Sequence, residues 1–183
     1  MSNAGERLFV VTGGPGSGKS TLLAAAAEAG YRIVPEAGRS ILQRQALIGG
    51  RAGHTKNPEL YAELMLDRDV GHYLEHAESD RPVLFDRGIG DLIGYRTLIG
   101  KPLGPHFARA AEILRYNPVV FIAPPWEVIY VNDSERKQGW TKAVRTYEVM
   151  HAAYESLGYQ LAVLPEADVV TRLHFVMERV GPA

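Results

Sequence analysis

A doubly wound α/β fold around a parallel sheet is the class this sequence predicts, and three observations predict it. Short apolar runs of strand length alternate with helical segments along the whole chain. A glycine-rich loop, Gly13 to Gly18, lies between the first such run and the first helix. No disulfide framework competes with a hydrophobic core, because the 183 residues include no cysteine and 46% of them are hydrophobic.

Each element follows from local chemistry. Arg7 to Thr12 is a short apolar run ending in glycines, the pattern of a strand buried on both faces. Ser20 to Ala29 is rich in strong helix formers and stops at Gly30, and Tyr31 to Val34 supplies a second strand. Ala37 to Ile48 predicts a helix ended by Gly49-Gly50. Asn57-Pro58, an N-cap residue followed by proline at the first helical position, opens a long helix to about Glu78. Arg81 to Asp86 predicts the third strand, and Asp91 to Tyr116 holds one or two short helices broken around Lys101 to Pro105. Pro118 to Ala123 is the fourth strand. A charged, irregular stretch from Pro124 to Trp140 precedes a helix to about Leu157, a fifth strand at Gln160 to Leu164 and a closing helix from Ala167 to Val180.

Charge and length bound the partners. The formal net charge is -1, from 20 basic and 21 acidic residues, which provides no basic footprint for duplex nucleic acid or anionic lipid. The longest strongly apolar stretch, Val119 to Ala123, runs into Pro124 and Pro125 and is far short of a membrane span. Ser2-Asn3-Ala4 reads as a lead-in or tag remnant with no signal-peptide core behind it, so a soluble cytoplasmic protein is expected.

The loop carries the chemistry. Gly13-Gly14-Pro15-Gly16-Ser17-Gly18-Lys19-Ser20-Thr21 fits glycine, four residues, then Gly-Lys-Ser, in the strand-to-helix context that gives the pattern its meaning. Glycines let several backbone N–H groups converge on phosphate oxygens with no Cβ in the way, and the following helix adds its N-terminal dipole. Lys19 is then placed to neutralise the outer phosphates, and Ser20 to offer its hydroxyl to Mg²⁺. An acidic group on a neighbouring strand completes such a metal site, and Asp86, ending Val83-Leu84-Phe85-Asp86, is the candidate; its alternative role is to cap the turn at Gly88. The residue after Asp86 is Arg87, where water-activating hydrolases commonly carry a glutamate, and neither a GTPase base-reading motif nor a transporter signature is present.

With these residues in view, the chain resembles the NadR-like group of P-loop proteins, predicted ATPases and kinases related to ribosylnicotinamide kinase and to nucleoside and nucleotide kinases. The likeness rests on the phosphate loop, Val34-Pro35-Glu36-Ala37-Gly38-Arg39, Phe85-Asp86-Arg87-Gly88 with Asp91 and Tyr95, Asp133-Ser134-Glu135-Arg136-Lys137, and the Tyr154 to Pro165 segment. It implies a five-stranded sheet ordered 2-3-1-4-5 and a lid at about 124–140. It further implies that Glu36 takes a proton from the acceptor, that Arg87 lies beside the transferring phosphoryl group, and that Arg136 and Lys137 fold over the phosphates. Competing readings are a carboxylate at Glu36 that favours a helix dipole, an Arg39 that binds an anionic acceptor or pairs with Glu36, and a solvated charged loop in place of the lid. Ala143, Tyr147, Met150, Tyr154 and Leu157 form an apolar stripe expected to be core, and the six histidines are expected to be ordinary residues. Arg68 and Asp69 are expected on an exposed charged face, the alternative being that they line the acceptor pocket, as the likeness to similar kinases implies.

The expectation is one P-loop domain over residues 1–183. It would bind Mg-ATP and pass a phosphoryl group to a small hydroxyl or phosphate acceptor. An ATP or GTP hydrolase acting as a switch, and a nucleotide sensor without turnover, are the alternatives.

Overall fold

The computed structural model of the protein describes residues 5–129 and 137–183, with the side chains of Lys137 and Gln138 outside that description. Its elements are β1 (Leu8–Gly13), α1 (Lys19–Glu28), β2 (Arg32–Val34), α2 (Ala37–Leu47), α3 (Pro58–His76), β3 (Val83–Asp86), α4 (Ile89–Leu98), α5 (Pro105–Ile113), β4 (Val119–Ala123), α6 (Lys137–Ser156), β5 (Gln160–Val163) and α7 (Val169–Val180). The five strands form one sheet in the order β2-β3-β1-β4-β5. All four pairings are parallel, as strands joined by helical crossovers must be.

β1 is central and buried along its whole length, so its alternating side chains feed two cores. Leu8 and Val10 join Tyr61, Met65, Ile89, Phe107 and Tyr154 on the face covered by α2 to α6. Phe9 and Val11 join Leu22, Leu23, Ala26, Val176 and Val180 on the face covered by α1 and α7. The Asn57 side chain caps α3 by accepting from the Leu60 N–H at 3.0 Å, with Pro58 at the first helical position as expected.

Two sequence expectations need correction. The stretch expected to be irregular as far as Trp140 is helical from Lys137 onward, and Glu127–Ile129 form one 3₁₀ turn, so the charged segment is shorter than 124–140. In the stripe expected to be core, Ala143, Met150 and Tyr154 are buried, and Leu157, just past the end of α6, is half-buried and packs against the same core, whereas Tyr147 is half-buried beside His151.

Strand register is what positions the site. Val11 pairs with Asp86 across β1 and β3, and Gly13 pairs with Ala123 across β1 and β4. Val34 pairs with Phe85 across β2 and β3, so Glu36 and Arg87 leave the sheet at the same level. The phosphate loop, Asp86, Arg87 and Glu36 therefore all emerge at the carboxyl end of the sheet, where open α/β sheets hold their ligands.

Candidate functional site

The loop after β1 needs its first glycine for space. Gly13 has φ +137°, and a Cβ there would meet the Ala123 carbonyl oxygen at 2.5 Å. The Ser17 hydroxyl donates to the Gly14 carbonyl at 2.8 Å, and the Lys19 ammonium donates to the carbonyls of Gly13 and Gly14 at 3.2 and 3.1 Å. Lys19 is buried, and burial, followed by the nearby Arg87 charge, lowers its pKa to about 8 against the opposing pull of Asp86, Asp91 and Glu36. Pro15, Gly16, Ser20 and Thr21 are more open, the last two at the start of α1.

At the end of β3, Asp86 Oδ1 is buried with no hydrogen-bond partner among the described residues, and burial raises the Asp86 pKa although Lys19 and Arg87 oppose the rise. Asp86 does not cap the Gly88 turn. The Gly88 N–H donates to Asp91 Oδ2 at 3.1 Å instead. An orphaned carboxylate oxygen beside a phosphate loop fits a divalent cation held through water, with the Ser20 hydroxyl as a second ligand. Among the described residues no group of three or more histidines and carboxylates could hold such an ion alone, so nucleotide oxygens would have to complete its shell.

Arg87 has a left-handed backbone, φ +74°, the only non-glycine residue described with positive φ. Strain of this kind persists where the surroundings over-determine it. Here the Arg87 N–H donates to the Val11 carbonyl at 3.1 Å, Nη1 donates to Asp91 Oδ1 at 2.9 Å, and Nε lies 3.4 Å from Glu36 Oε1. Burial disfavours the Arg87 charge, but Asp91, Glu36 and Asp86 outweigh it and the pKa is raised.

Asp91 is the centre of this arrangement. Besides Arg87 and Gly88, it accepts from the Thr12 hydroxyl at 2.6 Å and from the Tyr154 hydroxyl at 2.7 Å. One buried carboxylate thus joins β1, the β3 turn, α4 and α6. Sequence reasoning noted Asp91 as part of a motif but not as a hub, because its partners Thr12 and Tyr154 are distant in the chain.

Glu36 pairs with Arg87, and Arg39, the partner weighed from helix spacing, is exposed on α2. Beside Glu36 stands an aromatic group from the loop before α3, from α3 and from α4: His54, Tyr61 and Tyr95 pack edge-on, with ring centroids 4.7 to 6.0 Å apart. Burial, then the Glu36 charge, pushes the Tyr61 pKa up to about 12. Arg68 is exposed as expected, but Asp69 is half-buried rather than on an open charged face. Burial, then the charges of Asp91 and Glu36, raises the Asp69 pKa to about 8. Arg136, with Asp133 to Glu135, lies outside the described residues, as does the side chain of Lys137.

On the other side of the phosphate loop is a cavity of about 490 Å³ lined by the loop and by Trp126, Ile129, Asp168 and Arg172. The sequence reading missed it, since Trp126 and the α7 residues carry no motif.

Comparison with known proteins fits this geometry. A family model described as an AAA domain matches residues 8–172, from the start of β1 into α7. The chain belongs to this AAA domain family. It is a P-loop domain, which implies nucleotide binding. No curated protein matches its sequence. Among solved structures it is similar to thymidylate kinase from Ehrlichia chaffeensis, with a TM-score of 0.64 and 14% identity over 95% of this chain and 97% of that one. It is also similar to deoxyadenosine kinase from M. mycoides with dCMP and dCDP, with a TM-score of 0.56 and 18% identity over 94% and 98% of the two chains. The same enzyme with bound dATP gives a TM-score of 0.53 at 15% identity, over 94% of this chain and 98% of that one. At these identities the likeness defines the fold, that of a P-loop nucleotide kinase. Among the described residues no helix is long and apolar enough to cross a membrane.

Proposed function

We propose that this AAA-domain protein is a kinase that passes the γ-phosphoryl group of ATP to a hydroxyl or phosphate oxygen of a small, nucleoside-like acceptor. The observation that carries the reading is the Glu36–Arg87 pair, 3.4 Å apart, at the same end of the sheet as the phosphate loop. A hydrolase needs only to orient water, whereas a carboxylate and a guanidinium beside a half-open aromatic wall suit a bound organic acceptor.

In this reading the N–H groups of Gly13 to Gly18 and the Lys19 ammonium hold the phosphate chain, and the cavity beside the loop, walled by Trp126 and Ile129, receives the nucleoside part. Mg²⁺, when bound, neutralises charge on the phosphates; Ser20 and Asp86 would hold it. Glu36 accepts the proton of the acceptor hydroxyl as its oxygen bonds to the γ-phosphorus. The bond from that phosphorus to the β,γ-bridging oxygen breaks, and ADP leaves with the electron pair. Arg87 and Arg136 bear on the transferred oxygens, where guanidinium geometry matches charge spread over two of them. His54, Tyr61 and Tyr95 offer ring faces and edges to a planar acceptor.

The test is ATP consumption measured against nucleosides, ribosylnicotinamide, nucleoside monophosphates and small polyols. A kinase gives rapid turnover stimulated by one acceptor class. Slow hydrolysis indifferent to every acceptor marks a switch, and tight binding without turnover marks a sensor.

A further inference from the structure

Arg172, in the first turn of α7, is far in sequence from the phosphate loop yet touches it. Its Nη1 donates to the Ser17 carbonyl at 3.0 Å. It is 4% exposed, and its Nε has no hydrogen-bond partner among the described residues. Burial lowers its pKa, with no described carboxylate offsetting that cost. Buried arginines are ordinarily paired, and removing a charge from water without a counter-ion is strongly unfavourable. A cation kept in this condition beside a loop built for anions has a reason to be there.

Peptide geometry supplies the reason. The Ser17 carbonyl and the Gly18 N–H belong to one planar peptide, trans like every other described bond, so they point in opposite directions. A guanidinium that holds the carbonyl toward α7 turns the Gly18 N–H toward the other side of the loop. Gly18 is fitted to the same contact. Its φ is +79°, and a Cβ there would meet Arg172 Nη1 at 2.5 Å. A side chain at position 18 would thus strain the backbone and displace the arginine as well.

We propose that Arg172 is a positioning residue of the phosphate loop. It fixes the Ser17–Gly18 peptide so that its N–H is presented to the nucleotide's phosphates, and the charge of those phosphates in turn compensates the buried guanidinium. The inference rests on nucleotide binding by the loop and not on any acceptor, so it survives if the kinase reading fails.

Calorimetric affinities of the intact protein for Mg-ATP and for inorganic tripolyphosphate, which has no base or ribose, test it. Arg172→Met is expected to weaken both by about tenfold, equivalent to about 1.4 kcal/mol, and by the same factor. Arg172→Lys, which keeps a charge and a donor, should recover most of that loss for both ligands. A merely structural role would lower Tm without this pattern of equal weakening and recovery by lysine. If Arg172→Met does not fold, Arg172→Gln takes its place with the same expected equal weakening. Weakened ATP with unchanged tripolyphosphate would assign Arg172 to the nucleoside instead, and unchanged affinity for both would remove it from binding. Either result overturns the proposal.

Discussion

Glu36 Oε1 and Arg87 Nε stand 3.4 Å apart across the ends of β2 and β3, while the same guanidinium donates through Nη1 to Asp91. One planar fork thus ties a carboxylate at the open end of the sheet to one buried behind it. Lysine offers a single ammonium and cannot span both. Arg87→Lys is expected to lose one of the two contacts and to destabilise the protein by about 1–3 kcal/mol, a fall in Tm of several degrees for a domain of this size. Thermal unfolding checks this.

Asp91 gives the sharper stability test. All four of its donors reach one carboxylate, and an asparagine would turn an amide N–H₂ toward two of them. Asp91→Asn is expected to cost about 2–4 kcal/mol, because buried donors are left unsatisfied. Tm should fall by roughly 5–15 °C. A fall of less than 2 °C would show that the hub contributes little.

Lys19 predicts a pH dependence of binding. Its pKa is about 8 in the free protein, lowered by burial, and bound phosphates must raise it. Above pH 8 the free protein has therefore lost a proton that the complex retains, so binding takes up a proton. Affinity for Mg-ATP should fall between pH 8 and 10, approaching tenfold per pH unit, and calorimetry in buffers of different ionisation enthalpy should record the uptake. Lys19→Ala should bind weakly at every pH, without the uptake and with the fold intact.

Asp69 predicts a pH dependence of stability. Its folded-state pKa is about 8, raised by burial and by its acidic neighbours, while the unfolded chain titrates near 4. Between those values the folded state binds more protons, so the contribution of Asp69 to stability is greatest below pH 4 and is lost as pH rises through 8. Asp69→Asn removes this loss. The Tm difference between Asp69→Asn and wild type should grow in favour of the variant from pH 5 to 9, and a constant difference would contradict the assignment.

Fold was the most legible part, for physical reasons. Five apolar runs, separated by segments too long for hairpins, leave parallel pairing as the economical solution, and the order 2-3-1-4-5 came from the likeness carried by the motifs. Strand ends shifted by a residue or two, as at β3, which begins at Val83 rather than Arg81. Residues that act through the local chain were readable: the loop at Gly13 to Gly18, and Asp86 at a strand end. Residues that act across the fold were not. Nothing near Tyr154 marks it as a partner of Asp91, nothing in α7 announces that Arg172 reaches the Ser17 carbonyl, and the inward turn of Asp69 depends on how α3 rolls against the sheet. The Glu36–Arg87 pair lies between these cases, since each residue was a candidate and only strand register joins them.

The fate of the γ-phosphoryl group tests the central claim most directly. ³¹P NMR of the protein with Mg-ATP and the acceptor that most stimulates ATP consumption should show a phosphomonoester or a lengthened phosphate chain on the acceptor, with one ADP per product. Glu36→Gln should bind Mg-ATP within about threefold of wild type and form that product about 10²–10⁴ times more slowly, the usual contribution of a positioned general base. Inorganic phosphate as the sole product, released at one rate with or without every acceptor and unchanged in Glu36→Gln, would contradict the kinase account.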